Sequence, residues 1–232
     1  MPGSKGPTGG PRRIVPRIMM RVWDAPTRLF HWAIVLLIAF SYVSIHRGWT
    51  EYHFLSGYTV LALLLFRIAW GFVGSQTSRF GSFLRSPVEG LRHLAHFHRR
   101  EPDTEIGHNA AGGWMVLALL AAIAVQAGTG LFSNDDILSE GPLAHLVPKA
   151  LSDRISGWHA FSFNVLLGLM ALHVLVVLLY ALVKRHDLVR PMLTGRKRLP
   201  ATMQQPRMAS SVLAAGLLAL AACVVWVVVT RI

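Results

Sequence analysis

The 232-residue sequence contains one cysteine, Cys223, and only 11 acidic residues against 23 lysines and arginines. A single cysteine excludes an internal disulfide, and it also excludes the Cys-x-x-Cys-His motif that attaches haem covalently. No apolar stretch precedes Trp23, which argues against a cleavable signal peptide. Residues 1–20 are therefore predicted to form a flexible basic leader.

Long apolar runs occupy most of the rest of the chain. Hydrophobic residues make up 53% of the sequence and the mean hydropathy is +0.46, a composition typical of membrane proteins. About 20 apolar residues suffice to cross a bilayer as a helix. The sequence has five runs near or above that length, roughly residues 29–45, 53–73, 113–132, 155–183 and 209–229.

Basic residues lie almost entirely on one side of these spans. Eighteen fall before the first span, between the second and third, or between the fourth and fifth, whereas four fall in the opposite loops or at the C-terminus. Acidic residues cluster in the loop before the fourth span, at Asp135, Asp136, Glu140 and Asp153. The positive-inside rule predicts a cytoplasmic N-terminus and a C-terminus outside. The net charge of +12 is thereby explained without nucleic-acid binding.

Two capping patterns predict helix starts outside the apolar runs. Asp24 precedes a proline in the first turn of the first span, and Ser86 with Glu89 forms a capping box. The helix after Ser86 is basic and amphipathic, which favours a position on the anionic membrane surface. A metal site is the less favoured interpretation of its three histidines, His93, His96 and His98.

Two histidines, His159 and His173, lie fourteen residues apart in the fourth span. Fourteen helical residues make nearly four turns and rise about 21 Å, so both imidazoles project from one face at two depths. His53 opens the second span, which runs in the same direction, and should lie level with His159. Arg67 follows His53 by fourteen residues and should lie level with His173. His31, near the start of the first span, reaches this second depth.

We call His53 and His159 the outer pair, and His31 and His173 the inner pair. Ionisable groups at bilayer depth are costly and need a partner. Two imidazoles that face each other from different helices suit the two axial positions of haem iron. A tetrahedral zinc or copper site is less favoured, because each layer offers two histidines and no cysteine or carboxylate. The alternative for each histidine taken alone is a hydrogen bond between helices.

Arg67 suits a haem propionate, because a buried guanidinium favours a bidentate anion. The alternative is a side chain that snorkels towards the cytoplasmic surface. His108, at the start of the third span, is the rival of His31 for the inner pair, although it lies outside the apolar run. Glycines close to the proposed ligands would let a macrocycle approach the backbone, or would serve helix packing. These are Gly57, Gly157 and Gly168.

The sequence also resembles a known family, the bacterial cytochromes b561 and the b-type cytochromes of nickel-iron hydrogenases. The resemblance is carried by residues 22–32 (VWDAPTRLFHW), His53 with Gly57 and Tyr58, residues 66–80, 107–120 and 129–136, and the fourth span. Ala110 and Ala111 replace a Pro-Leu pair expected from the family pattern.

The resemblance implies an all-α membrane protein whose four-helix transmembrane bundle, residues 21–198, holds two non-covalent b haems. The implied axial ligands are His31, His53, His159 and His173, the same four that the depth argument selects. Residues 199–232 add a linker and a fifth C-terminal transmembrane helix. This helix is a candidate for partner docking or for a homo-oligomer contact.

The implied function is electron transfer in the cytoplasmic (inner) membrane of a bacterium, between quinone or quinol and a periplasmic redox protein. A c-type cytochrome, a hydrogenase or another reductase is compatible with that role. Candidates for quinone or propionate contacts at the inner mouth are Arg21, Asp24 and Arg28. Two other functions stay open. One is a quinone-linked oxidoreductase of a small species such as superoxide, against which the acidic outer loop argues. The other is a histidine-relay proton or metal transporter, which would show no haem absorption.

Overall fold

The computed structural model describes residues 15–95, 103–137 and 139–231. Most of the predicted leader, residues 1–14, lies outside the described residues, as do His96 and His98 of the basic segment. Within the described ranges, five helices are long and apolar enough to cross a membrane. The five predicted apolar runs correspond to these five helices.

The five long helices are α1 (Ala25–His46), α2 (Thr50–Val73), α5 (Ala110–Gly130), α6 (Lys149–Leu179) and α8 (Ser211–Arg231). Three short helices lie between them, α3 (Phe80–Phe83), α4 (Pro87–Ala95) and α7 (Val189–Thr194). Single 3₁₀ turns span Gln76–Ser78 and Ala144–Leu146, and a π-helical turn, Tyr180–Lys184, continues α6. Two strands complete the fold, β1 (Arg17–Arg21) and β2 (Arg196–Pro200).

Helix starts follow the capping patterns of the sequence. The backbone N–H of Thr27 donates to Asp24 Oδ1 at 2.6 Å, and that of Glu89 donates to Ser86 Oγ at 3.3 Å. Both predicted caps are confirmed. Helix α6 begins at Lys149, six residues before the apolar run that predicts it. Hydropathy detects only the part of a helix that lipid or core surrounds, so the polar first turns of α6 escape it.

One buried apolar cluster joins α1, α2, α5 and α6. Its members are Ile34, Ile38, Val60, Leu64, Leu120, Ile123 and Leu166. Leu166 lies midway in sequence between His159 and His173 and is almost fully buried. The four helices that carry or adjoin the predicted ligands therefore share one core between the two histidine layers.

Helix α8 packs against α2 through small side chains. Ala214 and Ala221 are buried with Phe66 and Trp70 of α2. The chain before α8 is fixed as well, because the Ala209 N–H donates to Ser75 Oγ at 2.9 Å. Small residues let two helix backbones approach closely in a membrane. One face of the fifth helix is therefore used within the chain itself.

The two strands form an antiparallel ribbon that the sequence analysis did not predict. Arg17 pairs with Pro200 and Arg21 with Arg196, so residues 17–20 of the predicted leader belong to a strand. Met20 and Leu199 are buried under the ribbon with Val22 and Trp23. These two arginine-rich strands lack the alternation of apolar and polar residues by which strands are recognised.

Candidate functional site

The outer pair is brought together by α2 and α6. The ring centres of His53 and His159 lie 6.3 Å apart, and the ring planes are at 89° to each other. Bonds from imidazole nitrogen to a first-row metal are about 2 Å long, so two rings that ligate one metal from opposite sides have centres about 6 Å apart. The outer pair has this separation.

Backbone carbonyl groups of neighbouring helices orient both outer rings. His53 Nδ1 lies 3.0 Å from the carbonyl oxygen of Ser41 in α1, and His159 Nδ1 lies 3.0 Å from that of Gln126 in α5. A ring whose Nδ1–H donates to a carbonyl has its lone pair on Nε2. Metal-ligating histidines are commonly fixed in this way by their second nitrogen.

Further polar side chains surround His159. Thr129 Oγ1 lies 3.1 Å from its Nδ1, and Gln126 Nε2 lies 3.1 Å from its Nε2. Gln126 and Ser41 are functional candidates beyond those predicted from the sequence. The available signal was a polar side chain inside an apolar span, which in membranes usually faces another helix or a site.

A cavity of about 430 Å³ surrounds the outer pair. It lies among α1, α2, α5 and α6, and its wall includes both histidines and Gly57. A Cβ atom added at Gly57 would meet nothing within 4 Å. The volume falls within the range of about 300 to 1,000 Å³ that small-molecule and cofactor pockets have. The residues present fit a planar macrocycle held between two imidazoles.

The inner pair has nearly the same separation. The ring centres of His31 in α1 and His173 in α6 lie 6.4 Å apart, with ring planes at 59°. His31 Nδ1 is buried without a hydrogen-bond partner in the described structure. Buried polar atoms are rarely left unpaired, and those that are deserve an explanation by a ligand, ion or water.

Three further buried nitrogen atoms lie near the span ends that the charge distribution predicts to be cytoplasmic. Arg67 NH1, Arg28 Nε and His108 Nδ1 have no hydrogen-bond partner among the described residues. Arg67 is 3% exposed. The guanidinium of Arg67 lies 5.4 Å from the ring centre of Phe80. Buried cations call for an anion, and a carboxylate such as a haem propionate would satisfy Arg67.

His108 lies near the inner pair but is not paired with either member by a ring contact. Its ring packs between those of Trp23 and Phe83, with centres 4.8 Å from each. Burial, together with the smaller effect of the charges of Arg67, His173 and His31, lowers the pKa of His108 to about 3. The imidazole is therefore neutral at pH 7. The structure places His31 rather than His108 opposite His173.

The three candidate contacts at the inner mouth have different surroundings. Asp24 is almost fully buried, where it accepts hydrogen bonds from Ser78 Oγ at 3.0 Å and Trp70 Nε1 at 3.3 Å. Arg28 donates to the carbonyl oxygen of Leu193. Arg21 is exposed on the ribbon. Asp24 therefore has a structural role as a cap and a junction between α1 and α2.

Comparison with protein families decides what kind of protein this is. The sequence model of the prokaryotic cytochrome b561 family matches residues 22–195, three-quarters of the chain. The chain belongs to that family. Membership confirms the resemblance seen in the sequence. Searches of curated proteins and of solved structures give no significant match.

As a prokaryotic cytochrome b561, the protein is a multi-pass membrane protein and a b-type cytochrome of electron transfer. The family implies binding of b-type haem. The matched residues extend from the turn before α1 to the glycine after α7 and include both histidine pairs, but not α8.

Proposed function

We propose that this cytochrome b561 holds two b haems, one between the outer pair and one between the inner pair. It would carry electrons between the quinone pool and a periplasmic redox partner. The observation that carries the proposal is the repeated geometry of the two pairs. Each pair takes one histidine from α6 and one from a facing helix, with ring centres 6.3 or 6.4 Å apart.

The two imidazoles of each pair would hold one haem, which when bound would supply one-electron redox chemistry. Two histidine ligands from the protein favour electron transfer over reaction with a substrate at the metal. His159 and His173 make α6 the one long helix with a ligand in each layer. Buried Leu166 and its cluster keep the space between the layers apolar.

The charged residues divide between the two layers. Arg67 supports a propionate contact at the inner site, because NH1 of its buried guanidinium has no hydrogen-bond partner among the described residues. The outer cavity instead adjoins the acidic loop, since Asn134, Asp135 and Ser139 line it. Complementary charge steers redox partners to each other. The outer end of the bundle therefore favours a basic partner such as a c-type cytochrome. Quinone is assigned to the inner end.

The acidic loop has a defined internal structure. Lys149 forms ion pairs with Asp136 and, at 2.9 Å, with Asp153. Glu140 is exposed and pairs through its backbone with Asn134. Exposed ion pairs contribute little to stability, so these charges are better suited to partner recognition than to holding the fold. With the basic residues on the other side, the positive-inside rule supports a periplasmic position for this loop.

The proposal is tested by a reduced-minus-oxidised absorption spectrum with haem quantitation on the purified full-length protein. Alanine variants of His31, His53, His159 and His173 are each expected to lose one of two haems per chain. His145→Ala is the matched control, because this histidine lies exposed in the outer loop. It should keep both haems.

Two results would overturn the assignment. Purified wild-type protein without a haem spectrum would exclude both sites and leave the histidine-relay transporter as the better hypothesis. If His31→Ala kept both haems and His108→Ala lost one, the inner pair would be wrong. The alanine variants of His53 and His159 would still lose one haem in that case, so the two layers are tested separately.

A further inference from the structure

The ribbon of β1 and β2 has one buried face and one basic face. Met20 and Leu199 point to the buried side, and Lys197 on that side forms an ion pair with Asp103 at 2.7 Å. The strand register places the alternate residues on the opposite face. We call this the arginine face, and its exposed members are Arg17, Met19, Arg21, Arg196 and Arg198.

The arginine face places like charges beside each other. Arg21 and Arg196 are directly opposite in the register, an arrangement that destabilises an antiparallel pair. Arg17 donates to the backbone carbonyl groups of Asp103 and Arg198. In the described part of the chain, no carboxylate lies within ion-pair distance of Arg21, Arg196 or Arg198. The positive charge is thus available to a ligand from outside the chain.

The ribbon is fixed at the end of a membrane span. The backbone N–H groups of Val22 and Trp23 donate to the carbonyl oxygen of Gly195, and α1 begins two residues after Trp23. At about 3.3 Å per extended residue, Arg21 lies within roughly 15 Å of the first turn of α1. The arginines are therefore held close to the level at which lipid headgroups begin.

Exposed apolar side chains occur on the ribbon and on α7. Met19, on the arginine face, is 53% exposed, Ile18, on the opposite face of the ribbon, is 46% exposed, and Leu193 of α7 is 55% exposed. Exposed apolar groups beside arginines are typical of segments that lie in the membrane interface, where the hydrophobic part enters the headgroup region. An acidic protein partner could bind the arginines, but it would not explain why they lie at the end of a membrane span.

We propose that the arginine face binds the phosphate groups of anionic phospholipids at the membrane surface. Phosphatidylglycerol is a suitable representative of this lipid class. Guanidinium groups bind phosphate oxygens in a bidentate manner, and neighbouring phosphates would remove the repulsion between Arg21 and Arg196. The ribbon would then attach the first span, α7 and the chain leading to α8 to the headgroups. This binding is independent of the haem sites.

The test compares lipid binding by full-length protein that retains its cofactors. Phosphatidylglycerol retention is measured by native mass spectrometry as mixed micelles are diluted, with phosphatidylcholine as the neutral lipid. The triple variant R21Q/R196Q/R198Q should lose retained phosphatidylglycerol by at least about tenfold, since each basic residue near an anionic surface contributes several-fold to binding. The matched control is R85Q/R190Q/R207Q, which removes the same charge from exposed arginines elsewhere on the same predicted side.

The expected result is loss in the ribbon variant and retention in the control, with no difference for phosphatidylcholine. Equal loss in both triple variants would show only a diffuse electrostatic attraction and would overturn the site. Unchanged phosphatidylglycerol binding in the ribbon variant would do the same and would favour an acidic protein partner. The variant with lysine at the same three positions should recover binding in part, which separates a charge effect from misfolding.

Discussion

The imidazole of His159 is surrounded by polar groups and a glycine of the neighbouring helix α5. Its Nδ1 faces the Gln126 carbonyl and Thr129 Oγ1, and Gly130 lies against the Cε1–Nδ1 edge of the ring. A Cβ atom at Gly130 would lie 3.0 Å from His159 Cε1. The absence of a side chain at this position therefore allows the ring its present orientation.

Gly130→Ala is expected to displace the His159 ring by a few tenths of an ångström and to reduce haem content at the outer site. Altered support of a metal ligand typically costs about 10- to 100-fold in affinity. Haem quantitation and electron paramagnetic resonance of the oxidised protein measure the change. Gly128→Ala, where an added Cβ meets nothing within 4 Å, is the control. Equal effects of both variants would contradict a role for the ring contact.

Asp24 is the second residue whose surroundings define its role. Burial alone would raise the pKa of this carboxyl, but hydrogen bonds from Ser75, Thr27 and Ser78 outweigh it and hold the pKa below its usual value. Because the folded-state pKa lies below the unfolded value near 3.8, the ionised carboxylate stabilises the fold above about pH 4. That stabilisation is lost as the pH falls through the folded-state pKa.

Asp24→Asn should lower the free energy of unfolding at neutral pH by about 2 kcal/mol, because hydrogen bonds to a charged acceptor are replaced by weaker ones. The difference from wild type should shrink as the pH falls below 4. Thermal unfolding in detergent between pH 3 and 7 measures both effects. Asp187→Asn, which alters an exposed cap on Val189 and Arg190, should give a small change. A constant difference at every pH would contradict the prediction.

At the scale of elements, the start of α5 depends on close contact with α3. A Cβ atom at Gly113 would lie 2.8 Å from the carbonyl oxygen of Phe83 and 3.0 Å from its ring. The partner is backbone, which cannot move without displacing α3. The ring of Phe83 in turn contacts His108, so this contact also supports the region of the inner pair.

Gly113→Ala is therefore expected to destabilise the protein by about 1 to 3 kcal/mol through overpacking, against the small gain that alanine gives a helix. The measured quantity is the thermal midpoint in detergent. Gly216→Ala in α8 is the control, since nothing lies within 4 Å of an added Cβ there. A higher midpoint for Gly113→Ala would show that α3 yields to the new methyl group.

For the whole molecule, the main question is how α8 relates to the rest of the fold. The family match ends at residue 195, yet α8 packs on α2 and its leading chain bonds to Ser75 and Gln76. The Arg67 side chain belongs to α2 as well, on the helix that α8 covers. Helix α8 is thus part of the described fold rather than a separate attachment.

Ala221→Leu should loosen α8 from α2 and lower the thermal midpoint, because leucine cannot fit where Ala221 meets α2. A loss of about 1 to 3 kcal/mol is expected from overpacking. Haem content should change little, since neither histidine pair lies on α8. Ala222→Leu adds the same side chain on an exposed position and is the control. If both variants behaved alike, α8 would not depend on this small-residue contact.

The sequence by itself predicted the five spans, the capping residues Asp24 and Ser86, and the two depths of the histidines. Helical rise and period are fixed by backbone geometry, so positions along one helix can be calculated without knowing its neighbours. Hydropathy likewise depends only on composition. The family was evident from motifs that lie in the same order along the chain.

Tertiary structure alone decided which groups meet across the chain. The pairing of β1 with β2 joins residues about 180 positions apart, and no local pattern indicates it. The contact of Gln126 with His159 and the burial of Asp24 among Thr27, Trp70 and Ser78 also depend on helix packing. The depth of a residue along its helix follows from counting residues. The side of a helix that faces a site is instead set by the neighbouring helices against which it packs.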